Sequence, residues 1–211
     1  MGLYFTKELE NDAVISVWEI TESEEELLNL CSVPSEELEE LLLIRSEARR
    51  KEKLAVRALL NAVFGDKVYL GHHDNGRPFL QNSVIEISIS HTNRFVCMIT
   101  HPEESVGIDI ESLSRDYSSV EKRALSDEER EDLSTKHKNL HLALIWSAKE
   151  AIYKRMSKSG VDFANQIEVE KFNPKESGEM EAVFIDSDDT EQEFDLNYEI
   201  FEDHVMVWVV G

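Results

Sequence analysis

The chain carries one plan twice. In each half a β-type run leads into helical stretches, the last of them long, and these lead into further β-type runs, two in the first half and three in the second. Ala13–Ile20, rich in Val, Ile and Trp, opens the N-terminal half, and Val106–Glu111 answers to it in the C-terminal half. Long helices are expected over Arg45–Phe64, which Gly65 can cap, and over Leu140–Ser157, with an end near Gly160. Val84–Ser90 and Phe95–Thr100 supply the later strands of the first half, and Met180–Ile185, Phe194–Ile200 and Val205–Val210 those of the second. Shorter helices are expected at Ser23–Leu30, from Pro34, near Ser118–Arg123 and at Ser126–Leu133, two of them opening with capping boxes (Ser23 with Glu26, Ser126 with Glu129). The pattern predicts an α+β fold: a pseudo-twofold duplication of two similar α/β halves, residues 1–104 and 105–211. The active site is expected in the cleft between them, because domain junctions favour ligand sites.

A net charge of −22 argues against nonspecific binding to nucleic acid or anionic lipid, which such a field repels. No run approaches the roughly 20 apolar residues of a membrane span, and no secretory signal is visible, so the expected location is cytoplasmic. Gly2 and Thr6 fit the myristoylation pattern, which short sequences match by accident. Cys31 and Cys97 make neither a disulfide framework nor a thiolate metal site. The basic residues are clustered, Arg45, Arg49, Arg50, Lys51, Lys53 and Arg57 in one segment and Lys149, Lys154, Arg155 and Lys158 in another. In so acidic a chain these clusters suggest local anion sites.

The chemistry concentrates in two segments. In Val106-Gly107-Ile108-Asp109-Ile110-Glu111 the carboxylates share one face of a strand, roughly 7 Å apart. Two carboxylates so placed repel unless a cation sits between them. In Trp146-Ser147-Ala148-Lys149-Glu150-Ala151-Ile152-Tyr153-Lys154, Glu150 and Lys154 are neighbours on one helix face. A surface ion pair would explain that spacing alone, but Trp146, four residues before Glu150, is unusual on a solvated face. Three oxygen donors beside lysines suggest Mg²⁺ shared with a polyphosphate.

These residues resemble the 4′-phosphopantetheinyl transferases, specifically the larger, pseudo-dimeric surfactin-type group. Gly76-Arg77-Pro78 is similar to its Gly-Lys-Pro motif, and Ile87-Ser88-Ile89-Ser90-His91-Thr92 to its Asn-x-Ser-His-Ser motif. Val106–Glu111 is similar to the Gly-Ile-Asp-x-Glu core, and Trp146–Lys154 to Trp-x-x-Lys-Glu-Ala-x-x-Lys. The resemblance implies transfer of the 4′-phosphopantetheine arm of coenzyme A to a serine of an apo acyl carrier protein, or of a peptidyl or polyketide carrier domain. The second product would be adenosine 3′,5′-bisphosphate. Asp109, Glu111 and Glu150 would bind Mg²⁺, Glu150 or a metal-bound water beside it would act as general base, and Lys154 would act on the phosphates. Ser90, His91, Arg77 and Lys149 would contact coenzyme A. One or more of Arg45, Arg49, Arg50 and Arg57 would hold the 3′-phosphate, with Arg49 and Arg50 favoured. An internal pseudo-dimer implies a monomer. Arg77 stands for lysine and Ser88 for asparagine, the latter loosening the turn before His91, and Glu128 or Glu129 takes no assigned role.

Two other classes fit less well: a module of the same fold that binds carrier protein or coenzyme A without turnover, and an acidic cation-binding scaffold. His72-His73 is read as exposed turn and Asp186–Asp189 as a solvated hairpin loop, since no glycine follows to make a calcium loop. Carrier proteins are acidic, so a basic or apolar dock is expected around Lys154–Lys158 and Met156.

Overall fold

Edge strands of two antiparallel sheets meet at the middle of the molecule. The computed structural model describes residues 2–31, 33–66 and 68–211. The N-terminal half contains β1 (Leu3–Glu8), β2 (Val14–Glu19), α1 (Glu24–Leu30), α2 (Ser35–Leu43), α3 (Glu47–Phe64), β3 (Leu70–His72), β4 (Pro78–Leu80), β5 (Glu86–His91) and β6 (Phe95–His101). Its sheet runs β1-β2-β6-β5, with β3 and β4 forming a separate ribbon. The C-terminal half contains β7 (Val106–Ser112), α4 (Ser118–Ala124), α5 (Asp127–Glu131), α6 (Lys138–Met156), α7 (Phe163–Gln166), β8 (Ile167–Val169), β9 (Ser177–Ile185), β10 (Glu191–Phe201) and β11 (His204–Val210). Its sheet runs β7-β11-β10-β9-β8. The triplets β2-β6-β5 and β7-β11-β10 have the same order and the same antiparallel sense.

Local chemistry sets the helix ends. Both capping boxes form, Ser23 with Glu26 and Ser126 with Glu129. The Ser46 side chain caps α3, which Gly65 closes at φ 82°, a left-handed value that costs glycine little. Helix α6 stops earlier than expected: Ser157 takes a left-handed φ of 55° and its N–H donates to the Tyr153 carbonyl. Five elements escape sequence reading, among them α7, a single turn of four residues. Strands β3, β4 and β8 have three residues each, too few to show a period. Strand β1 lies at a sheet edge and is largely exposed.

Three apolar cores stack through the molecule. Leu54 and Leu59 of α3 pack on Trp18, Val96 and Met98. Ile15, Val17, Cys97 and Ile99 on the other face of that sheet meet Ile108, Ile110, Met206 and Trp208 of the second sheet. Leu144, Ala148 and Ile152 of α6 then cover Val205, Val207 and Leu196. Strand β7 follows the period-2 rule: Val106, Ile108 and Ile110 point into the middle core, while Gly107, Asp109 and Glu111 face α6.

Gly107 sets how close that helix comes. A Cβ there would lie 1.9 Å from the Ala151 carbonyl oxygen, so backbone would meet backbone. Gly107→Ala forces α6 away from β7, at a cost of about 3 kcal/mol. The melting temperature should fall by about 6–12 °C at this chain length. A melt within about 2 °C of wild type would contradict the close approach.

Candidate active site

Asp109 is the hinge of the site, 5% exposed in the middle of β7. Its Oδ1 accepts hydrogen bonds from Ser90 Oγ at 2.7 Å and from Lys154 Nζ at 2.7 Å. Lys154 also donates to the Ile108 carbonyl at 3.0 Å. Asp109 Oδ2 is buried and has no hydrogen-bond partner among the described residues. The contacts span the molecule: Ser90 is the penultimate residue of β5 in the N-terminal half, and Lys154 comes from the last turns of α6. Ser88, also on β5, is 3% exposed and accepts the Ile108 N–H at 3.2 Å. It lies within the strand, so its effect falls on β7 and not on the turn before His91.

Glu111, two residues along the same face, is already surrounded by donors. Trp146 Nε1 reaches Oε1 at 2.8 Å, Tyr117 reaches Oε2 at 3.0 Å, and one Arg115 nitrogen lies 2.9 and 3.1 Å from the two oxygens. Burial, then the charge of Glu111, pushes the Tyr117 hydroxyl pKa upward. Among the described residues no three acidic, histidine or cysteine side chains form a ready-made metal cluster. Lys154 pairs with Asp109 and Arg115 with Glu111, so a basic side chain meets the charge of each strand carboxylate.

Glu150 is held differently. Burial, and next the charge of Asp109, raise its pKa to about 7, with Glu111 adding to the rise and Lys154 opposing it. An unfolded glutamate titrates near ~4.3, so between about pH 4.5 and 7 the folded state binds more protons and stability falls as pH rises. Glu150→Gln should therefore melt higher than wild type above pH 7 in metal-free buffer, and the gain should vanish below about pH 4.5. Thermal melts across that range check it, and a difference independent of pH would contradict the burial of this charge.

The cleft that Lys154 lines has two adjoining compartments, which share Gly76, Pro78 and Ile89 in their walls. The smaller, about 190 Å³, brings the Arg77 turn against Tyr153, Lys154 and Ser157. Asn75 bridges the halves there, its Nδ2 donating to the Ser157 carbonyl at 2.6 Å. The larger, about 530 Å³, is lined by Arg49, Glu52, Lys53, His72 and His91 among others. That volume suits a nucleotide-sized ligand. Arg77 pairs with Glu86. Burial lowers the His91 pKa, against the pull of Glu52 3.6 Å away.

The four candidate arginines separate. Arg49 lines the larger compartment with its side chain 63% exposed. Arg50 is turned away, forking onto Glu24 at 2.7 and 2.8 Å and donating to the Ile44 and Arg45 carbonyls. Arg57 is 3% exposed, pairs with Glu37 and donates to the Val68 carbonyl. Arg45 is exposed and does not line the cleft. Lys53, one helical turn beyond Arg49, does line it, and the four-residue spacing could have revealed it. His72 ends β3 and is exposed on the wall of this compartment, so only His73 lies in the turn.

Lys149 does not reach the cleft. Its side chain is fully buried in the C-terminal half, where Nζ donates to Glu129 at 2.6 Å and to the Ala124 and Phe163 carbonyls at 2.7 and 2.9 Å. The basic dock expected at Lys154–Lys158 is also largely spent: Lys154 pairs with Asp109, Lys158 with Asp186, and Arg155 lies over the Phe194 ring.

With this geometry in place, comparison with known protein families gives a match to the C-terminal half. Residues 105–208 fit the family model of the 4′-phosphopantetheinyl transferase superfamily, and the match supports that superfamily and transfer of phosphopantetheine in general. The matched stretch holds β7 and α6 and so includes Asp109, Glu111, Glu150 and Lys154. No curated protein matches the chain. No helix among the described residues is long and apolar enough to cross a membrane.

Proposed function

We propose that this chain moves the 4′-phosphopantetheine arm of coenzyme A onto a serine of an apo carrier protein, as an enzyme of the surfactin-type group. The observation that carries the reading is Lys154, which lines the cleft and pairs with Asp109, with Glu150 under the charge of both, while Arg49, Lys53, Arg77 and His91 also line that cleft. The shared strand order of the two sheets, with α3 and α6 in matching places, supports the pseudo-twofold duplication. It also supports the division near residue 104 and a monomer.

The donor set fits a divalent cation such as Mg²⁺. Asp109 offers a buried, unpartnered Oδ2, and Glu150 is a carboxylate whose pKa is raised by burial and next by the charge of Asp109. Glu111 can add an oxygen once Arg115, whose side chain is 45% exposed, moves aside. The cation would supply charge neutralisation at the diphosphate.

The remaining chemistry belongs to the protein. Arg49 and Lys53 bind the 3′-phosphate end, and Arg77 and His91 orient the nucleotide and diphosphate. Arg50, Arg57 and Lys149 are occupied elsewhere and are not assigned to coenzyme A. Glu150 has a pKa near the working pH, where a general base is most effective. It takes the proton as the carrier serine oxygen attacks the phosphorus that bears the pantetheine arm. The bond to the bridging oxygen breaks, and adenosine 3′,5′-bisphosphate leaves with the electron pair. Lys154 steadies the charge that builds on the phosphates. The carrier belongs to the acyl, peptidyl or polyketide class, and the reaction is placed in the cytoplasm.

Intact-mass spectrometry of one apo carrier of each class, incubated with the protein, coenzyme A and Mg²⁺, tests the reading. A mass gain equal to the phosphopantetheine arm is expected on at least one carrier. No gain on any of them, with coenzyme A still bound, would replace the enzyme by a binding module.

A further inference from the structure

We infer that Ser90 is a positioning residue for Asp109 and not a ligand of the coenzyme A phosphates, an inference that rests on the proposed metal-assisted transfer. A serine hydroxyl has one proton to give. That proton points at Asp109 Oδ1, 2.7 Å away, in a pocket where Ser90 is 8% and Asp109 5% exposed. An ionised carboxylate only accepts, so the direction of the bond is fixed and no proton remains for a phosphate oxygen.

The consequence is an asymmetric carboxylate. Ser90 and Lys154 both occupy Oδ1, which leaves Oδ2 buried and without a partner, turned to a fixed place. Ser88 works two residues earlier on the same strand. Its oxygen accepts the Ile108 N–H, a backbone donor on the edge of the second sheet. Strand β5 therefore grips β7 at two successive residues, one through backbone and one through the carboxylate. The N-terminal half thereby sets the aim of an acidic group that the C-terminal half provides. Groups that orient ligating carboxylates in this way typically contribute about 10–100-fold to metal affinity.

The test uses Ser90→Ala, Ser90→Thr and wild type, each first checked for a cooperative melt. Mn²⁺ is titrated by electron paramagnetic resonance, and coenzyme A affinity is measured separately by calorimetry in excess chelator. Ser90→Ala should bind Mn²⁺ about 10–100-fold more weakly, keep its metal-free coenzyme A affinity within about twofold, and recover Mn²⁺ binding in Ser90→Thr, which restores the hydroxyl. A variant that loses coenzyme A affinity and keeps Mn²⁺ affinity overturns the inference, as does one that changes neither. Wild type that binds no Mn²⁺ overturns both this inference and the metal reading. Wild type that binds Mn²⁺ and transfers nothing overturns the transferase reading alone, and the same titration still decides the role of Ser90.

Discussion

Lys149→Met lowers the melting temperature by about 6–20 °C without acting on the cleft. The lysine is completely buried and its partner Glu129 is 1% exposed. Burial pulls the Lys149 pKa below the ordinary lysine range even though Glu129 opposes the shift, so this charge is held at a cost. Glu129 also accepts the Ser126 and Val169 N–H groups at 2.8 and 2.9 Å. The pair thus ties the start of α5, the middle of α6 and the last residue of β8. Removing one partner of such a pair strands the other, at about 3–5 kcal/mol, and each kcal/mol is worth about 2–4 °C in a chain of this size. The double variant Lys149→Met/Glu129→Leu should recover part of the loss, because an apolar pair of similar volume is often as stable as a buried ion pair. Differential scanning calorimetry of the three proteins decides the matter. If Lys149→Met melts like wild type but loses coenzyme A affinity, the buried position is wrong and the lysine serves the substrate.

Asp109→Asn should reduce transfer by about a thousandfold, the equivalent of about 4 kcal/mol of transition-state stabilisation. The amide keeps the size of the side chain and can still accept from Ser90 and Lys154, so the fold should survive. It removes the charge that makes Oδ2 a metal donor. Asp109→Ala is a poorer probe. Deleting a cleft carboxylate relieves repulsion against Glu150, but it also strips Lys154 of its anionic partner. Initial rates by mass spectrometry, with circular dichroism as a folding control, give the answer. Transfer within about tenfold of wild type would remove Asp109 from the chemistry.

Much of the scaffold is legible in the sequence because short-range rules dominate it. Capping boxes at Ser23 and Ser126 start helices where they should, and Gly65 ends one. Alternation along β7 is enough to put Asp109 and Glu111 on one face. The site is less legible, because sequence spacing shows which face a residue shares but not which partner claims it. Arg49, Arg50 and Arg57 read alike as basic residues of one segment. Only packing shows that Arg50 serves α1 and that Arg57 serves α2. Lys149 does leave a trace: it continues the buried stripe Leu142, Ile145 and Ile152 at spacings of three and four, the signature of a core position. The motif around it draws attention to phosphate binding instead. Trp146 stands out on its helix face, and the structure supplies the reason, a donor to Glu111.

Crystals of the protein soaked with coenzyme A and Mg²⁺ would test the central claim most directly. The expected result is one cation at about 2.0–2.1 Å from Asp109 Oδ2 and from a Glu150 oxygen. The diphosphate should complete its shell, Arg115 should be swung off Glu111, and the 3′-phosphate should lie beside Arg49 and Lys53. A nucleotide bound away from these carboxylates, with no cation and with Asp109 Oδ2 still unpartnered, would contradict it.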